Sequence, residues 1–556
     1  MSSSSEHPDV GGLSIDDGIL KRTSFMDLPP ELMLKILGYL YEGDLTRCAL
    51  VSRKFRTVVD HQILWKPLYQ EVFEYSLPLL HVGHGRFEFR EPHDESIVVN
   101  PWKESFKQLA LQLVEARGKN AEKLIFLHAG LYLPETTVTI NSDIQIIGAS
   151  AGPDVASRVI IEGRLTTTVF LGNGSQGAYL GWMTVRSAPD AENPRAYMRH
   201  YALQICGNST ALVEHCVIHS SATEGAAVYV HGSAVKPKMR HCVVCDCENV
   251  GICVTDAARG QFEDCEIARN KGDGVWVRSH ANPFFQRCNI HDGRSRGIFT
   301  LNHGMGHFES CNIHNNRLAG IEVENAANPT VTHCEVYHGQ QSGVHVREKI
   351  SSHSDPRIAR NKIYNGRYVG VLISNKGRGV LEDNDIYRNT QSGVIIEPKS
   401  NPTLRRNRIY EGRTAGIVIR SGAMATLESN AIFHNRFGGL CMAPGAKPTM
   451  HDNNIYDNDD LVEKTIAKGG CLFGITSRKS YAMHDYYRCD TCNTTEKEKI
   501  CLSCTQTCHA GHTVHLVRCD RFSCCCGAGT LKHQCKLLSK VRDNDSALPP
   551  VDSELQ

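Results

Sequence analysis

One short phrase recurs along the middle of the chain at a nearly constant interval, and this restricts the architecture more than any other feature. Eight of the ten intervals are 23 residues, and the other two, 26 and 27, are small insertions. A period of this length indicates units that stack on their neighbours instead of burying one compact core. The phrase begins at Cys216, Cys242, Cys265, Cys288, Cys311, Cys334, Asn361, Asn384, Asn407, Asn430 and Asn453.

A second phrase, glycine followed by branched apolar residues, keeps the same period from Gly251 to Gly439. Each repeat therefore holds short β-branched stretches separated by glycine and asparagine, which favour turns. Helical repeats of the tetratricopeptide or ankyrin kind need about 33 or 34 residues, more than these units contain. The pattern predicts a parallel β-helix in which each turn stacks on the previous one at roughly 4.8 Å.

Stacking at this period places residue i above residue i+23, so columns of side chains can be predicted. Isoleucine or valine fills one column from Ile218 to Ile455, as expected for an inward ladder. Two positions earlier, a cysteine column is followed by an asparagine column from Asn361 to Asn453, which can form a hydrogen-bonded ladder. A third column predicts stacked rings at His291, His314, Tyr337, Tyr364, Tyr387, Tyr410, Phe433 and Tyr456.

The segments Leu124–Ser150 and Val159–Val185 also alternate apolar residues and glycines, and they resemble the opening turns of right-handed β-helices of the pectate-lyase-like group. We therefore place the solenoid at residues 120–460. The apolar segment Trp102–Ala116 is expected to be a helix that caps its first turn, because an open solenoid end exposes unpaired strand edges.

Residues 25–73 have a helical pattern instead. Pro29 and Pro30 can open a helix that Leu32, Ile36 and Leu40 continue until Gly43, and Asp44 and Ser52 are expected to be N-caps of two further helices. Leu64 and Trp65 are expected to begin a fourth helix. A unit this short has more apolar side chains than its own core needs, which predicts a docking surface.

This segment resembles an F-box, the motif that binds the Skp adaptor of cullin-RING ubiquitin ligases. The resemblance implies a set of Skp-binding residues along all four helices. They are Leu28, Pro29, Leu32, Ile36, Leu40, Leu45, Val51, Phe55, Leu64 and Trp65.

Eleven of the 23 cysteines lie between Cys471 and Cys535, which separates a C-terminal module from the repeats. Two CxxC pairs, an HxxH and a CxC supply thiolates and imidazoles at the separations that tetrahedral zinc requires. The alternative, a disulfide framework, is disfavoured because no secretory signal is visible. The candidate zinc ligands are Cys471, Cys489, Cys492, Cys501, Cys504, Cys508, His509, His512, Cys524, Cys526 and Cys535.

The order of these ligands resembles a UBR-type zinc finger. That family binds several zinc ions with one bridging cysteine, so the eleven candidate ligands imply about three ions. Cys525 stands where the family usually has an acidic residue, and Cys519 has no ligand counterpart in it.

An F-box, β-helix repeats and a UBR-type finger in this order resemble the F-box only protein 11 family. The resemblance implies a non-catalytic substrate receptor that assembles with Skp, a cullin and a RING subunit, and captures protein substrates for ubiquitination and proteasomal degradation. The predicted fold is multidomain and mainly β. Its parts are a disordered N-terminus (1–22), an F-box (23–75), a linker and helical cap (76–119), the β-helix (120–460), the zinc finger (468–537) and a disordered tail (538–556).

Charge and targeting signals give general expectations only. The 61 Lys and Arg residues nearly balance 60 Asp and Glu, so we expect no direct nucleic-acid binding. Residues Met1–Val10 have no basic or apolar signal region, and no uncharged apolar run is long enough to span a bilayer. We therefore expect a protein of the nucleus, the cytoplasm or both, with no membrane partner.

Two alternatives come from other motifs. The main rival is a polysaccharide lyase or hydrolase, since β-helices often process such substrates, with Asp457, Asp459 and Asp460 or the pair His291 and His314 as candidate groups. The segment Gly172–Gly177 matches GxGxxG, but the residues after it predict a strand, whereas a dinucleotide site needs a helix there.

Overall fold

The computed structural model describes residues 25, 28–73, 79–83, 86–89, 100–117, 123–150, 154–189, 198–348, 354–475, 482–495, 497–531 and 535–537. The predicted disorder of 1–22 and 538–556 concerns residues outside these ranges. The chain divides into two compact units, residues 1–113 and 114–556, which are treated separately below.

The first unit contains the four helices that the sequence predicts. Pro30 stands at the first helical position, but α1 ends at Leu37, so Gly43, the predicted stop, lies within α2 instead. The Ser52 hydroxyl accepts a hydrogen bond from the Phe55 amide at 3.2 Å, which confirms it as the N-cap of α3. Asp44 is not an N-cap, because α2 begins two residues earlier. The helices are α1 Pro30–Leu37, α2 Glu42–Val51, α3 Arg53–Val59 and α4 Gln62–Phe73.

A fifth helix, α5 (Pro101–Arg117), confirms the predicted helix at Trp102–Ala116. Its first half packs on α4: the rings of Trp65 and Phe106 meet edge to face at 5.8 Å, and those of Tyr69 and Trp102 at 5.5 Å. The role of α5 as a solenoid cap stays a prediction. An antiparallel hairpin that the sequence did not predict, Leu79–Gly83 with Arg86–Phe89, lies between α4 and α5.

The solenoid consists of three parallel sheets, to which each turn contributes one strand, so the predicted parallel β-helix is confirmed. Within the described ranges the sheets have 14, 14 and 13 strands. We name them first, second and third in the order in which the chain enters them.

The first sheet holds Lys123–His128, Ile144–Ala149, Tyr179–Gly181, Leu212–Glu214, Lys238–Arg240, Gln261–Glu263, Phe284–Gln286, His307–Glu309, Thr330–Thr332, Arg357–Ala359, Val380–Glu382, Thr403–Arg405, Met424–Glu428 and Lys447–His451. The second holds Gly130–Tyr132, Val159–Gly163, Thr184–Ser187, Val217–Ser220, Val243–Cys245, Glu266–Ala268, Asn289–His291, Asn312–His314, Glu335–Tyr337, Lys362–Tyr364, Asp385–Tyr387, Arg408–Tyr410, Ala431–Phe433 and Asn454–Tyr456. The third holds Val138–Ile140, Thr167–Leu171, His200–Ile205, Gly225–His231, Val250–Thr255, Val275–Arg278, Ile298–Leu301, Ile321–Glu324, Val344–Arg347, Val371–Ser374, Val394–Ile396, Ile417–Ile419 and Leu440–Met442.

The predicted ladders lie where the 23-residue period places them. Ile386 pairs in register with Ile363 and Ile409 of the adjacent turns, and all three side chains are buried. The rings from His291 to Tyr456 stack in one column on the second sheet, with centroids of successive rings 4.7–5.1 Å apart. In-register stacking therefore determines both the core and the outer surface of this region.

The C-terminal module follows the last turn directly. It begins with α6 (Leu461–Ala467) and a short 3₁₀ turn, Leu472–Ile475. A three-stranded antiparallel sheet then carries two short helices. The strands are Ala482–Cys489, Ile500–Cys501 and Val514–Phe522, and the helices are α7 Leu502–Thr507 and α8 Cys525–Ala528.

Phe437 of the solenoid belongs to the same buried apolar cluster as Val462, Leu472, Tyr486 and Phe522 of this module. The module thus packs against the last turns of the solenoid. No described helix combines the length and the apolar character needed to cross a bilayer.

Candidate metal centre and docking surface

The C-terminal module gathers its cysteines and histidines into three groups, each with four possible metal ligands. Within each group the ligand atoms all lie within 4.8 Å of one another. Together the groups use all eleven residues predicted as ligands, and Cys504 belongs to two of them. The groups are Cys471, Cys501, Cys504 and Cys524; Cys489, Cys492, His509 and His512; and Cys504, Cys508, Cys526 and Cys535.

The local fold brings these residues together from distant parts of the module. Cys489 ends the first strand, Cys501 and Cys508 flank α7, and Cys524 immediately precedes α8. A side chain at Gly527 would clash with the 3₁₀ turn, because an added Cβ would lie 2.6 Å from the Cys471 sulfur and 2.4 Å from the Phe473 Cβ. The glycine therefore permits α8 to approach the first ligand.

The separations fit tetrahedral zinc. The sulfurs of Cys504 and Cys535 lie 3.7 Å apart and those of Cys508 and Cys535 3.8 Å apart. Two thiolates bound to one ion at about 2.3 Å each would be about 3.8 Å apart in a tetrahedral site. Cys492 Sγ lies 3.2 Å from Nδ1 of His512 and 3.5 Å from Nδ1 of His509. The donor set, sulfur with imidazole nitrogen, is also the one that zinc prefers.

Neighbouring thiols favour the deprotonated form of some ligands. A hydrogen bond from the Cys504 thiol is the largest cause that lowers the pKa of Cys526, to about 5. Hydrogen bonds from the thiols of Cys471, Cys504 and Cys524 hold the pKa of Cys501 far below its usual range. Hydrogen bonds with the same neighbouring thiols hold the pKa of Cys504 far above its usual range, so the remaining protons are shared unevenly within these groups. Because zinc binds thiolates and not thiols, metal binding here would release protons. Cys525, the departure from the family pattern, belongs to none of the three groups.

The N-terminal helical unit has its own apolar core. Met33, Leu37, Leu45, Val59 and Leu64 are buried inside it. Trp65 is also buried, with only 4% of its surface exposed, and its Nε1 donates a hydrogen bond to the Val59 carbonyl at 2.8 Å. Three residues predicted to bind Skp, namely Leu45, Leu64 and Trp65, therefore lie in the interior of the unit and not on its surface.

The remaining predicted Skp-binding residues are at least partly accessible. Leu32, Ile36 and Val51 are exposed, Val51 by 68%, and so is Pro29, while Leu28, Leu40 and Phe55 are half-buried. Further large apolar side chains that the prediction omitted are exposed on the same unit, namely Tyr39, Tyr41, Leu50 and Ile63. Helical spacing alone does not separate a core face from an apolar docking face, so the Skp-binding set, which includes both buried and exposed residues, stays a prediction.

Four of the five groups considered for carbohydrate chemistry, all except Asp457, have structural partners. The imidazoles of His291 and His314 lie parallel, with centroids 4.7 Å apart, as two members of the aromatic column. Asp460 caps α6 by accepting a hydrogen bond from the Glu463 amide, and Asp459 pairs with Lys464. The GxGxxG segment is followed by the strand Tyr179–Gly181, as predicted.

Three family descriptions match consecutive parts of the chain. Residues 25–71 match the F-box-like family, and residues 475–538 match the zinc finger in N-recognin (UBR box). The right handed beta helix region matches in four overlapping segments, 191–317, 226–349, 349–455 and 393–482.

Two relatives are similar in sequence to parts of this chain. The F-box protein dre-1 of Caenorhabditis elegans is 38% identical over 279 residues, which cover 44% of this chain and 30% of dre-1. A probable E3 ubiquitin-protein ligase of Dictyostelium discoideum is 36% identical over 81 residues, 14% of this chain and 1% of that protein. The chain therefore spans less than a third of the length of either relative.

Among solved structures, the Azotobacter vinelandii mannuronan C-5 epimerase AlgE4 A-module has a TM-score of 0.38 at 13% identity, over 64% of this chain and 94% of that one. We draw no functional argument from so low a similarity. The β-helix matches, by contrast, together span residues 191–482, which is more than half of the chain. The chain therefore belongs to the right-handed β-helix family, with an F-box-like segment before the repeats in the sequence and a UBR-type zinc finger after them.

Proposed function

We propose that the protein is the substrate-recognition subunit of a Skp–cullin–F-box ubiquitin ligase. In this role the helical unit docks on Skp, and the solenoid and the zinc finger capture a protein substrate for ubiquitination and proteasomal degradation. The chain would act as a non-catalytic adaptor of the nucleus, the cytoplasm or both, because other subunits would transfer ubiquitin.

The observation that carries the proposal is the exposed apolar face of the helical unit. Leu32, Ile36, Tyr39, Leu50 and Val51 are exposed, whereas other apolar side chains of the same unit form its buried core. Large exposed apolar patches indicate protein interaction sites. The F-box-like match over residues 25–71 supports an Skp-type adaptor as the partner of this face.

The zinc finger supports a second contact site on the same receptor. We propose that its three ligand groups hold three zinc ions and that Cys504 bridges two of them. Because such ligands assemble only in the folded module, the ions would provide much of its folding free energy. The module would then contribute to substrate or partner capture and not to Skp docking.

Purified components test the docking role. In the variant Leu32→Ala/Ile36→Ala, each truncation should cost about 2 kcal/mol if these side chains are interface anchors, which is about a 30-fold loss of Skp affinity per residue. The matched control is Thr46→Ala/Thr57→Ala, since both residues are exposed and each hydroxyl donates a hydrogen bond to a carbonyl of its own helix. Undiminished Skp binding by the leucine–isoleucine variant, or an equal loss in the control, would contradict the proposal.

A further inference from the structure

The third sheet of the solenoid ends in an unpaired strand edge. Its last strand, Leu440–Met442, pairs in the described ranges only with the strand of the preceding turn. In that turn the Ile417 amide donates to the Gly439 carbonyl, one turn further along, at 2.8 Å. Leu440 has the register position of Ile417, so its amide and that of Met442 point to where a further turn would lie. No described residue accepts a backbone hydrogen bond from either amide.

The apolar core is open at the same edge. Leu440 and Met442 pair in register with Ile417 and Ile419, which are both fully buried. Met442 itself is 50% exposed, and Leu440 is half-buried. Inward side chains of each earlier turn are covered by those of the next, and no described strand follows here. An apolar strand edge with free backbone groups is a template for strand addition by another chain.

A cleft of about 360 Å³ lies beside this edge, which is within the size range of ligand sites. Part of its lining comes from the last turns of the solenoid and the rest from α6 and the first strand of the zinc module. The main apolar lining residues are Phe437, Leu440, Met442, Pro444 and Val462. The acidic ones are Asp460, Glu463 and Asp485.

The cleft carries negative charge without a matching cation. None of its lining residues is a lysine or an arginine, and its single histidine, His484, lies 3.5 Å from a Glu463 carboxylate oxygen. The Glu463 side chain is 66% exposed. Within the described ranges, the Asp485 carboxylate has neither a hydrogen bond nor an ion pair. Complementarity therefore favours a basic partner and disfavours the phosphates of a nucleic acid.

The same charge argues against a second copy of the chain at this edge. A two-fold contact between two copies would bring the same acidic cleft together twice, because such an interface uses one patch on both subunits. An extended segment of another protein meets no such repulsion when it carries a lysine or an arginine. Its backbone can bond to the free amides, and alternate side chains can cover the open core.

We propose that the edge at Leu440–Met442 and its cleft bind an extended, internal segment of a protein substrate as a further parallel strand. Two apolar side chains at alternate positions would cover Leu440 and Met442. The Asp460 backbone pairs with that of Phe437, just before the strand, so a lysine or arginine should precede the apolar pair. This inference rests on the proposed function and names its substrate class.

Fluorescence anisotropy with the purified full-length chain tests the inference. The probe is the peptide acetyl-Ser-Lys-Thr-Val-Thr-Val-Ser-Gly, labelled with fluorescein at its C-terminus, so that no free terminal amine is present. A second probe has glutamate in place of the lysine. We expect saturable binding of the lysine peptide and binding at least about tenfold weaker for the glutamate peptide.

One variant tests the charge of the cleft. Glu463→Lys should weaken binding of the lysine peptide at least about fivefold and strengthen binding of the glutamate peptide, as expected for opposite charges in contact. The matched control is Glu224→Lys, which makes the same charge change at an exposed position outside the cleft. It should leave both affinities within about twofold of the parent.

A second variant tests the strand edge. Met442→Pro removes a free amide and none of the bonds to the preceding turn, and edge strands tolerate proline at such positions. It should weaken binding of the lysine peptide at least about tenfold. The control is Ile455→Pro in the last strand of the second sheet. The Asn454 amide there donates to the previous turn, so the next amide, of Ile455, faces away from the sheet.

Absence of saturable binding, equal losses in Met442→Pro and Ile455→Pro, or equal effects of Glu463→Lys and Glu224→Lys would overturn the inference. Sedimentation of the parent as a dimer that Met442→Pro converts to a monomer would overturn it in favour of a second copy. Skp binding is measured on the same samples and should be unchanged in all variants. A parent chain that binds Skp but not the peptide contradicts this inference alone, whereas one that binds the peptide but not Skp contradicts the adaptor role.

Discussion

The side-chain amide of Asn384 donates a hydrogen bond to the side-chain oxygen of Asn407, one turn further along the solenoid, at 2.9 Å. Both side chains are buried. Asn384 also donates to the Ile358 carbonyl, and its oxygen accepts from the amide of Asn361. One residue thus satisfies buried polar groups of both adjacent turns.

Replacing Asn384 by leucine should therefore destabilise the solenoid. The change leaves a backbone amide and a carbonyl buried without their partners, and each such group costs about 1–3 kcal/mol. Thermal unfolding of the full chain should show a lower midpoint. Asn401→Ala, at an exposed position, should change stability by no more than about 0.5 kcal/mol. Equal midpoints for the leucine variant and the parent would show that the ladder does not contribute to stability.

His345 should make the solenoid sensitive to acid. Burial lowers the pKa of His345 to about 4, and its Nε2 lies 2.9 Å from the Ser374 hydroxyl. Its charged neighbours are Glu322 and Glu324 of the adjoining strand and Arg347 of its own strand, together with Arg296 from an earlier corner. The folded state thus holds a neutral imidazole, whereas an unfolded histidine titrates at about 6.5.

The unfolded chain binds one more proton than the folded chain between these two values. The stabilisation from the neutral imidazole is therefore complete above about pH 6.5 and is lost as the pH falls toward 4, with a slope of at most about 1.4 kcal/mol per pH unit. His345→Gln should reduce the decline of the unfolding midpoint between pH 6 and 4.5, while His451→Gln, at an exposed position, should not. Parallel curves for the parent and His345→Gln would contradict this assignment.

Cys504 should affect zinc content more than any ligand that belongs to a single group. Cys504→Ser removes a ligand from two groups and should lower the zinc content of the full chain by about two ions, whereas Cys492→Ser should lower it by about one. Cys525→Ser is the control and should retain all zinc. Elemental analysis measures the content directly. Equal losses from Cys504→Ser and Cys492→Ser would exclude the shared ligand.

Trp65 and Leu32 should have different roles in the helical unit. Trp65 should contribute to folding stability, and Leu32 to Skp binding. Trp65→Ala empties a buried site and should cost about 3–5 kcal/mol, which hydrogen exchange of residues 30–73 would detect as faster exchange. Leu32→Ala should leave exchange unchanged and reduce Skp affinity. The reverse result would mean that the core and the docking face have been exchanged.

The repeats were predictable because one period determines three columns at once. Because the turns stack in register, the residues 23 positions before and after Ile386 are its neighbours in the adjacent turns, and the same holds for Asn384. The eleven candidate metal ligands could be predicted from the sequence because few other residue types bind zinc. Their assignment to three groups agrees with the shared ligand that the family pattern implies.

Other features depend on contacts between distant segments. Trp65 is buried partly by Phe106, which comes from a helix beyond the hairpin, so its own helical pattern could not distinguish core from surface. The exposure of Tyr39 and Leu50 follows from the packing of α1 to α4 and leaves no separate signal in the sequence.

Affinity capture from cells under proteasome inhibition tests the adaptor role most directly. The full chain is compared with Leu32→Ala/Ile36→Ala. We expect Skp and cullin to be captured by the parent only, and a common set of other proteins to be captured by both. Members of that set should have shorter half-lives in cells that express the parent than in cells that express the variant. Capture of Skp and cullin by both forms, or half-lives that do not differ between them, would contradict the account.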